Sequence, residues 1–462
     1  MDEIRFVAAT GGLGARAISA ALLDDALEHR PHFIAVDAGT TDAGPFSLGM
    51  GEAAYSPEAV RRDLVVMLKA GAKAGIPVLV GSAGTAGGDV HVDEVLEIAR
   101  EICETEGLRL KTAVIRAEQE PGYLLDLYRS GRIRALDPAP DIGELTFTHS
   151  QRIVGMMGVE PLQDALAAGA DFILAGRCSD PALYAAMPIA KGFPAGLAWH
   201  IGKAVECGTM VCEKSGEGVV LGRIRRDEAV IQPVGKDLRC TPQSVAAHSL
   251  YENSDPYLHK ECSGTLDLTN SHFEAMEDGV SVKVTGSVFH PADTYTVKLE
   301  GAELCGYQSI IVGGVRDPFI LAKLDIWLAG VRDRIETLVA QVLGDQLTPS
   351  DYALAFHVYG RDAVMGPLES KEAYVPREVG IVLEATAPTQ ALATKIVKLS
   401  RQPLLHFPID KWKGSITGFA CLHNPAYIER GAVYRFNLNH VAVPISYRDM
   451  FRTEHLILGA SE

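Results

Sequence analysis

Between residues 4 and 206, short apolar runs alternate with segments of helical length, and this alternation constrains the fold more than any other feature. The runs Ile4–Ala9, Phe33–Val36, Pro77–Gly81, Leu110–Ile115 and Phe172–Ala175 are almost wholly apolar. Strands of that kind are covered on both faces. Between and after them lie Ala15–His29, Pro57–Ala74, Val92–Glu104, Pro121–Arg129, 181–188 and 196–206, which have helical length. In the first of these, Ile18, Leu22 and Ala26 share one face. Strands joined through helices form a parallel sheet with right-handed crossovers. We therefore expect an α/β fold with a Rossmann-like parallel sheet in the N-terminal half.

Near residue 213 the pattern shifts to period two, and long helices vanish. Gly218–Ile224, Ala229–Pro233, Gly264–Asp267, Val280–Val288 and Tyr295–Leu299 read as strands. A long helix is expected over Pro318–Leu343, with Pro318 in its first turn. Ala353–Tyr359, Glu378–Ala385, the helix Thr389–Ser400 and the strand Tyr434–Val443 make a second, smaller α/β layer. The organisation expected is thus a binding domain over 1–212, a β-rich segment over 213–313 and a smaller α/β domain over 314–462.

The net charge of −16, with no offsetting run of Lys and Arg, argues against nucleic acid and anionic lipid as partners. No apolar stretch approaches the length of a membrane span, and the acidic Met-Asp-Glu start is no signal peptide. The eight cysteines are scattered, which suits a reducing compartment, so a cytoplasmic location is expected. A small-molecule substrate and a homo-oligomer are the expected partners.

In a parallel sheet, ligands bind at the carboxyl ends of the strands. Five loops lie there. The first, Thr10 to Ala17, matches G-x-G-x-x-A through Gly12, Gly14 and Ala17, with Asp37 twenty residues later. That spacing suits a dinucleotide, or a tight turn needed only for packing. The second, Asp37 to Pro45, carries Thr40 and Thr41. It shares an Asp-x-Gly-Thr-Thr run with sugar kinases, but lies in the wrong context for them. Nor does a helix follow its acid quickly, as in a dinucleotide fold, so NAD(P) is the weaker expectation. The third, Gly81 to Asp89, offers Gly84, Thr85, Gly87 and Gly88 as backbone donors for an anion, or forms a plain connector. The fourth places Glu118 as an acid/base or as helix-terminal charge. The fifth, Gly176 to Pro181, offers Arg177 as a carboxylate or phosphate clamp, Cys178 as a thiol, and Asp180 as a helix N-cap ahead of Pro181. His149 and His200 are candidate bases, each with a structural alternative. Cys207-x4-Cys212 and His259-Lys260-Glu261-Cys262 are not standard zinc spacings. No metal is expected. No H-E-x-x-H, Walker A or G-x-S-x-G occurs.

Taken together, these loops resemble the acyclic terpene utilisation protein A (AtuA-like) family. The matching runs are Gly11–Arg16, Asp37–Gly51, Gly84–Gly88, Ile153–Pro161, Ala175–Leu183, Ala198–His200 and Arg430–His440. The resemblance is strongest up to about residue 210. It implies a role in the catabolism of acyclic terpenes and other branched acids handled as CoA thioesters. It implies no settled reaction and no fixed catalytic residue. Some members carry a C-terminal ferredoxin-like domain, or have it as a separate protein, so a small ferredoxin-like partner subunit is a further expectation. On this basis we expect an enzyme of hydratase or lyase type acting on a CoA thioester or hydroxy acid. Glu118, Arg177, His200 and His149 are the candidate catalytic groups. The alternatives are an NAD(P)-dependent oxidoreductase and a non-catalytic subunit of a catabolic complex. The cofactor is left open.

Overall fold

The computed structural model describes residues 2–370, 375–410 and 417–459. It divides into two compact units, one of residues 1–303 and 436–462, the other of 304–435. The first is built on a ten-stranded mixed sheet. At its centre run five parallel strands in the spatial order Ile4–Ala8, Phe33–Asp37, Val78–Gly81, Phe172–Ala175 and Leu110–Arg116. The α/β expectation with a parallel N-terminal sheet is met.

Side chains alternate across this sheet as period two requires. Phe6, Phe33, Leu79 and Ile173 point to one face and join Leu124, Leu162, Leu183 and Trp199 from helices. Val7, Ile34, Val80 and Leu174 point to the other and meet Leu23, Leu64, Met67 and Val95. The helices Ala20–Glu28, Pro57–Ala74 and Asp89–Glu106 thus cover one face. Pro121–Arg129, Val159–Ala167, Asp180–Ala190 and Ala195–Val205 cover the opposite one. The local signals are legible in Pro57–Ala74. Ser56 caps it, Pro57 opens its first turn, and Gly75 ends it at φ +67°.

The strands Val219–Ile224, Ala229–Val234, Val282–Thr285 and His272–Ala275 extend this same sheet on the Ile4–Ala8 side, each antiparallel to its neighbour. Arg452–Leu458 adds the opposite edge, antiparallel to Leu110–Arg116. A small separate sheet contains Leu258–Glu261, Gly264–Asp267 and Val288–Pro291. The long strand Val297–Val315 begins in this unit, where its first residues pair with Ser150–Gly155. In the second unit, its later residues pair with Val379–Ala387, which pairs in turn with Ala353–Tyr359. Helices Leu324–Leu343 and Gln390–His406 supply Trp327, Val331 and Ile396 to a core with Ile311, Ile381 and Leu383. Several expected boundaries change, and Val280–Val288, expected as one strand, forms two, Val282–Thr285 and Val288–Pro291, in different sheets. The long helix is broken into Pro318–Leu321 and Leu324–Leu343. The first helix begins only at Ala20, not Ala15. Among the described residues, no helix is long and apolar enough to cross a membrane.

The loops at the strand ends pack backbone against backbone. A Cβ on Gly39 would lie 2.1 Å from Thr85 Cα, and one on Gly87 would lie 2.1 Å from the Arg177 nitrogen. Glycine is required at both positions so that the loops can touch. Gly39→Ala should therefore destabilise the protein by about 1–3 kcal/mol or more, since backbone has no rotamer with which to yield. Urea unfolding of the purified variant measures this, and an unchanged midpoint would contradict the packing.

Candidate functional site

The parallel strands reverse their winding beside Val78–Gly81. The helix after that strand covers one face, and the helix after its neighbour Phe172–Ala175 covers the other. The two exit loops therefore diverge and open a crevice at the carboxyl ends, the usual ligand position in such sheets. Residues 82–88 and 176–180 line this switch point, with Asp37 and Thr41 from the neighbouring strand end.

At its centre is a buried ion pair. The Arg177 Nε donates to Glu300 Oε2 at 3.0 Å, and its terminal nitrogens donate to Ser82 Oγ and Thr41 Oγ1, each at 3.4 Å. Thr41 also donates to Glu300 at 3.1 Å. Burial opposes ionisation of Glu300, but Arg177 and Lys298 outweigh it and hold the carboxyl down at about 2. Asp37 accepts the Gly39 N–H at 2.9 Å, while its Oδ1 is buried with no hydrogen-bond partner. Burial and then the Asp180 charge push its pKa well above the usual carboxylate range.

Asp180 is the first residue of helix Asp180–Ala190. Ser179, not Asp180, is the N-cap. Protein surrounds Asp180, yet part of its surface remains accessible, as for a residue lining a recess. Among the described residues its carboxylate accepts no hydrogen bond. Burial lifts its pKa to about 6, against the pull of the Arg177 and Lys203 charges. Ser179 Oγ donates to Glu261 at 2.8 Å. Burial lifts Glu261 to about 8. Lys203 donates to Glu206 at 2.6 Å, and Tyr251 donates to the same oxygen at 3.3 Å. Burial and the Asp180 charge lift Glu206 to about 8. The Cys207 thiol lies 3.1 Å from the Tyr251 hydroxyl. Two carboxyls near 8 and one near 6 can hold a proton donor and a proton acceptor side by side at neutral pH.

The sequence candidates separate clearly. Asp37, Thr41, Arg177, Cys178 and Asp180 come together at the switch point. Cys178 is buried, and burial with the Asp180 and Asp37 charges raises its thiol pKa, so a thiolate is disfavoured. Residues 81–88 are buried rather than a surface nest. The N–H groups of Ser82, Ala83, Thr85, Ala86 and Gly87 all donate to backbone carbonyls. Gly84 and Gly87 take left-handed φ there. Thr85 Oγ1 accepts from Ala54, and Gly88 caps helix Asp89–Glu106. Glu118 accepts the Asp89 N–H at 2.8 Å, so its charge complements that helix N-terminus. Burial raises its pKa. Thr40 is exposed, and its Oγ1 accepts from Asp42. His149 is exposed at the end of a short helix. His200 is fully buried. Its ring nitrogens contact Ser287 Oγ at 2.6 Å and Ser249 Oγ at 2.9 Å, and burial lowers its pKa to about 3.

The first loop does not have dinucleotide geometry. No helix begins until Ala20, so no helix N-terminus faces the glycines. Leu13 N–H donates to the Asp37 carbonyl. Gly14 and Ile18 donate to the buried carboxylate of Asp63, at 3.0 and 3.2 Å. An internal carboxylate thus occupies amides that a pyrophosphate would need. Among the described residues, no three metal-ligating side chains converge on one point.

Lys203, Glu206, Tyr251 and Glu300 were not sequence candidates, and Glu261 was weighed only as part of a metal-ligand spacing. Of the first four, only Lys203 left a trace. It lies in Ala195–Val205, a helix that is apolar apart from His200 and Lys203 and whose residues from Gly196 to Val205 are all buried, and a cation there needs a partner.

Removing one member of the buried pair tests the site's frame. Glu300→Gln leaves the Arg177 guanidinium without its counter-charge, at a cost of about 3–5 kcal/mol. Glu300 is held below its ordinary 4.5, so its stabilisation is complete above pH 4.5 and is lost as pH falls through about 2. The variant should therefore be less stable at pH 7, and should lose less stability than the parent on acidification below pH 4.5. Urea unfolding across that range measures both effects. Equal slopes for the two proteins would contradict the assignment.

The model of the acyclic terpene utilisation family protein AtuA matches residues 41–409, well over half of the chain and including the switch-point loops. No curated protein and no solved structure matches the chain significantly. The family match, long and continuous through the crevice, places this chain in the acyclic terpene utilisation AtuA family.

Proposed function

We propose that this chain is an enzyme of acyclic terpene or branched-acid degradation that moves protons on a CoA thioester or hydroxy acid, as a hydratase or lyase. The observation that carries the reading is the Asp180 carboxylate. It lies in the crevice, accepts no hydrogen bond among the described residues, and is lifted by burial to about 6, while burial lifts Glu261, bonded to the adjacent Ser179, to about 8. At pH 7 the first is mainly a base and the second mainly an acid. In a dehydration, Asp180 takes the proton α to the thioester carbonyl. The electron pair forms the new double bond, and the hydroxyl leaves as water with the proton of Glu261.

The ion pair changes the part assigned to Arg177. Its guanidinium is already engaged by Glu300, Thr41 and Ser82, so it acts as a fixed positive charge that keeps Asp180 ionisable rather than as a substrate clamp. His200 and His149 have no part in this scheme. The first has both nitrogens engaged inside the core, and the second stands on the exposed surface.

The reading is tested with 3-hydroxy-3-methylbutanoyl-CoA, whose dehydration creates a conjugated thioester with its own ultraviolet absorbance. The parent should turn it over with a kcat/KM that rises through about pH 6 as Asp180 ionises, and falls above about pH 8 as Glu261 loses its proton. Asp180→Asn should lower kcat by about 10²–10⁴-fold. Glu261→Gln should abolish the alkaline limb. Turnover unaffected by Asp180→Asn would sink the proposal.

A further inference from the structure

One cavity does not belong to the carboxylate crevice in this scheme. It has a volume of about 430 Å³, and residues of the first glycine loop, Cys207 and Met210 line it. That size lies within the range of small-ligand pockets. The glycine loop divides its amides between two sides. Leu13, Gly14, Ala15 and Ile18 donate inward, to Asp37, Asp63 and Gly12. Gly11, Gly12, Arg16 and Ala17 line the cavity, and their backbone N–H groups meet no acceptor among the described residues. The Arg16 guanidinium is at the same wall, on the neutral hydroxyl of Ser215. Tyr55 and Met210, 38% and 56% exposed, add an aromatic ring and a thioether to the lining, and the exposed Glu217 adds an acidic side chain that an anion has to avoid.

We infer that this cavity binds a small organic anion, with its carboxylate or phosphate oxygens on the amides of Gly11, Gly12, Arg16 and Ala17 and on the Arg16 guanidinium, and its apolar body against Tyr55 and Met210. Backbone donors in a concave loop together with a guanidinium are the chemistry that recognises such oxygens. Cys207 joins the cavity lining to the Lys203–Glu206 pair through a chain of contacts. The Cys207 thiol contacts Tyr251, Tyr251 bonds Glu206, and Glu206 bonds Lys203. The inference goes beyond the proton-transfer reading and does not require it.

Binding is read without turnover, by thermal shift and calorimetry on the full chain, so its result is separate from that of Asp180→Asn. Three probes are used: 3-methylbutanoate, adenosine 5′-monophosphate and inorganic phosphate. Saturable binding of either organic anion supports the site and names the source of the anion. Inorganic phosphate should bind more weakly than the preferred organic probe. Arg16→Ala, at an exposed position, should fold normally and weaken binding about tenfold. The bound probe should also slow alkylation of Cys207 by iodoacetamide, followed by peptide mass spectrometry. No saturable binding of either organic anion, unchanged affinity in Arg16→Ala, an unprotected Cys207, or phosphate binding as tightly as the organic probes would each overturn the inference.

Discussion

The Arg177–Glu300 ion pair organises the carboxyl edge of the sheet. Each partner is buried, and each is held by further hydrogen bonds, the condition under which a buried pair tolerates its own desolvation. Arg177 engages Thr41 and Ser82 through its side chain, and Gly87 through its backbone N–H. One residue therefore joins the exits of three neighbouring strands. Those exits also lie too close for side chains, as the contacts of Gly39 and Gly87 show. The crevice keeps its shape because its walls are tied at a charged centre and pressed together along their backbones.

The same pair sets the chemistry around it. The field of Arg177 is shared between Glu300, which it keeps ionised, and Asp37 and Asp180, which burial pushes the other way. Glu300, which has Lys298 as a second cation, stays ionised, while desolvation outweighs the cations near Asp37 and Asp180. Asp180 is the acid that combines partial exposure with no hydrogen bond among the described residues, which is why the proposed proton transfer is assigned to it. Pairing elsewhere fixes the rest of the network, with Lys203 on Glu206 and Ser179 on Glu261.

The parallel strands were legible because strands covered on both faces read as unbroken apolar runs, and Phe172–Ala175 was located to the residue. Pro57–Ala74 was equally legible, since its cap, its first-turn proline and its terminal glycine all act locally. The first helix was not. Periodicity from Ala15 suggested helix, but Gly14 and Ile18 spend their amides on Asp63, which lies 49 and 45 positions away. No local signal records that competition. The site divides in the same way. Arg177, Asp37 and Asp180 stand at strand exits, where the topology rule points. Glu300 reaches Arg177 from 123 residues away, and Glu261 reaches Ser179 from 82. Their partners exist only once the chain has folded. The glycines misled for a related reason. In residues 84–88 they serve loop-to-loop contact, not an anion.

The unit that holds the crevice is discontinuous, and this bears on how the protein is made. The strand Arg452–Leu458 completes the sheet beside Leu110–Arg116, and Arg452 reaches back to Asp89 at the mouth of the third loop. A nascent chain that has just emerged through residue 303 lacks this edge, so Leu110–Arg116 presents an open row of backbone donors and acceptors while residues 304–435 are still being synthesised. Unpaired edges of that kind recruit other strands. Until residues 452–458 arrive, that edge is open to pairing with the strands of other chains.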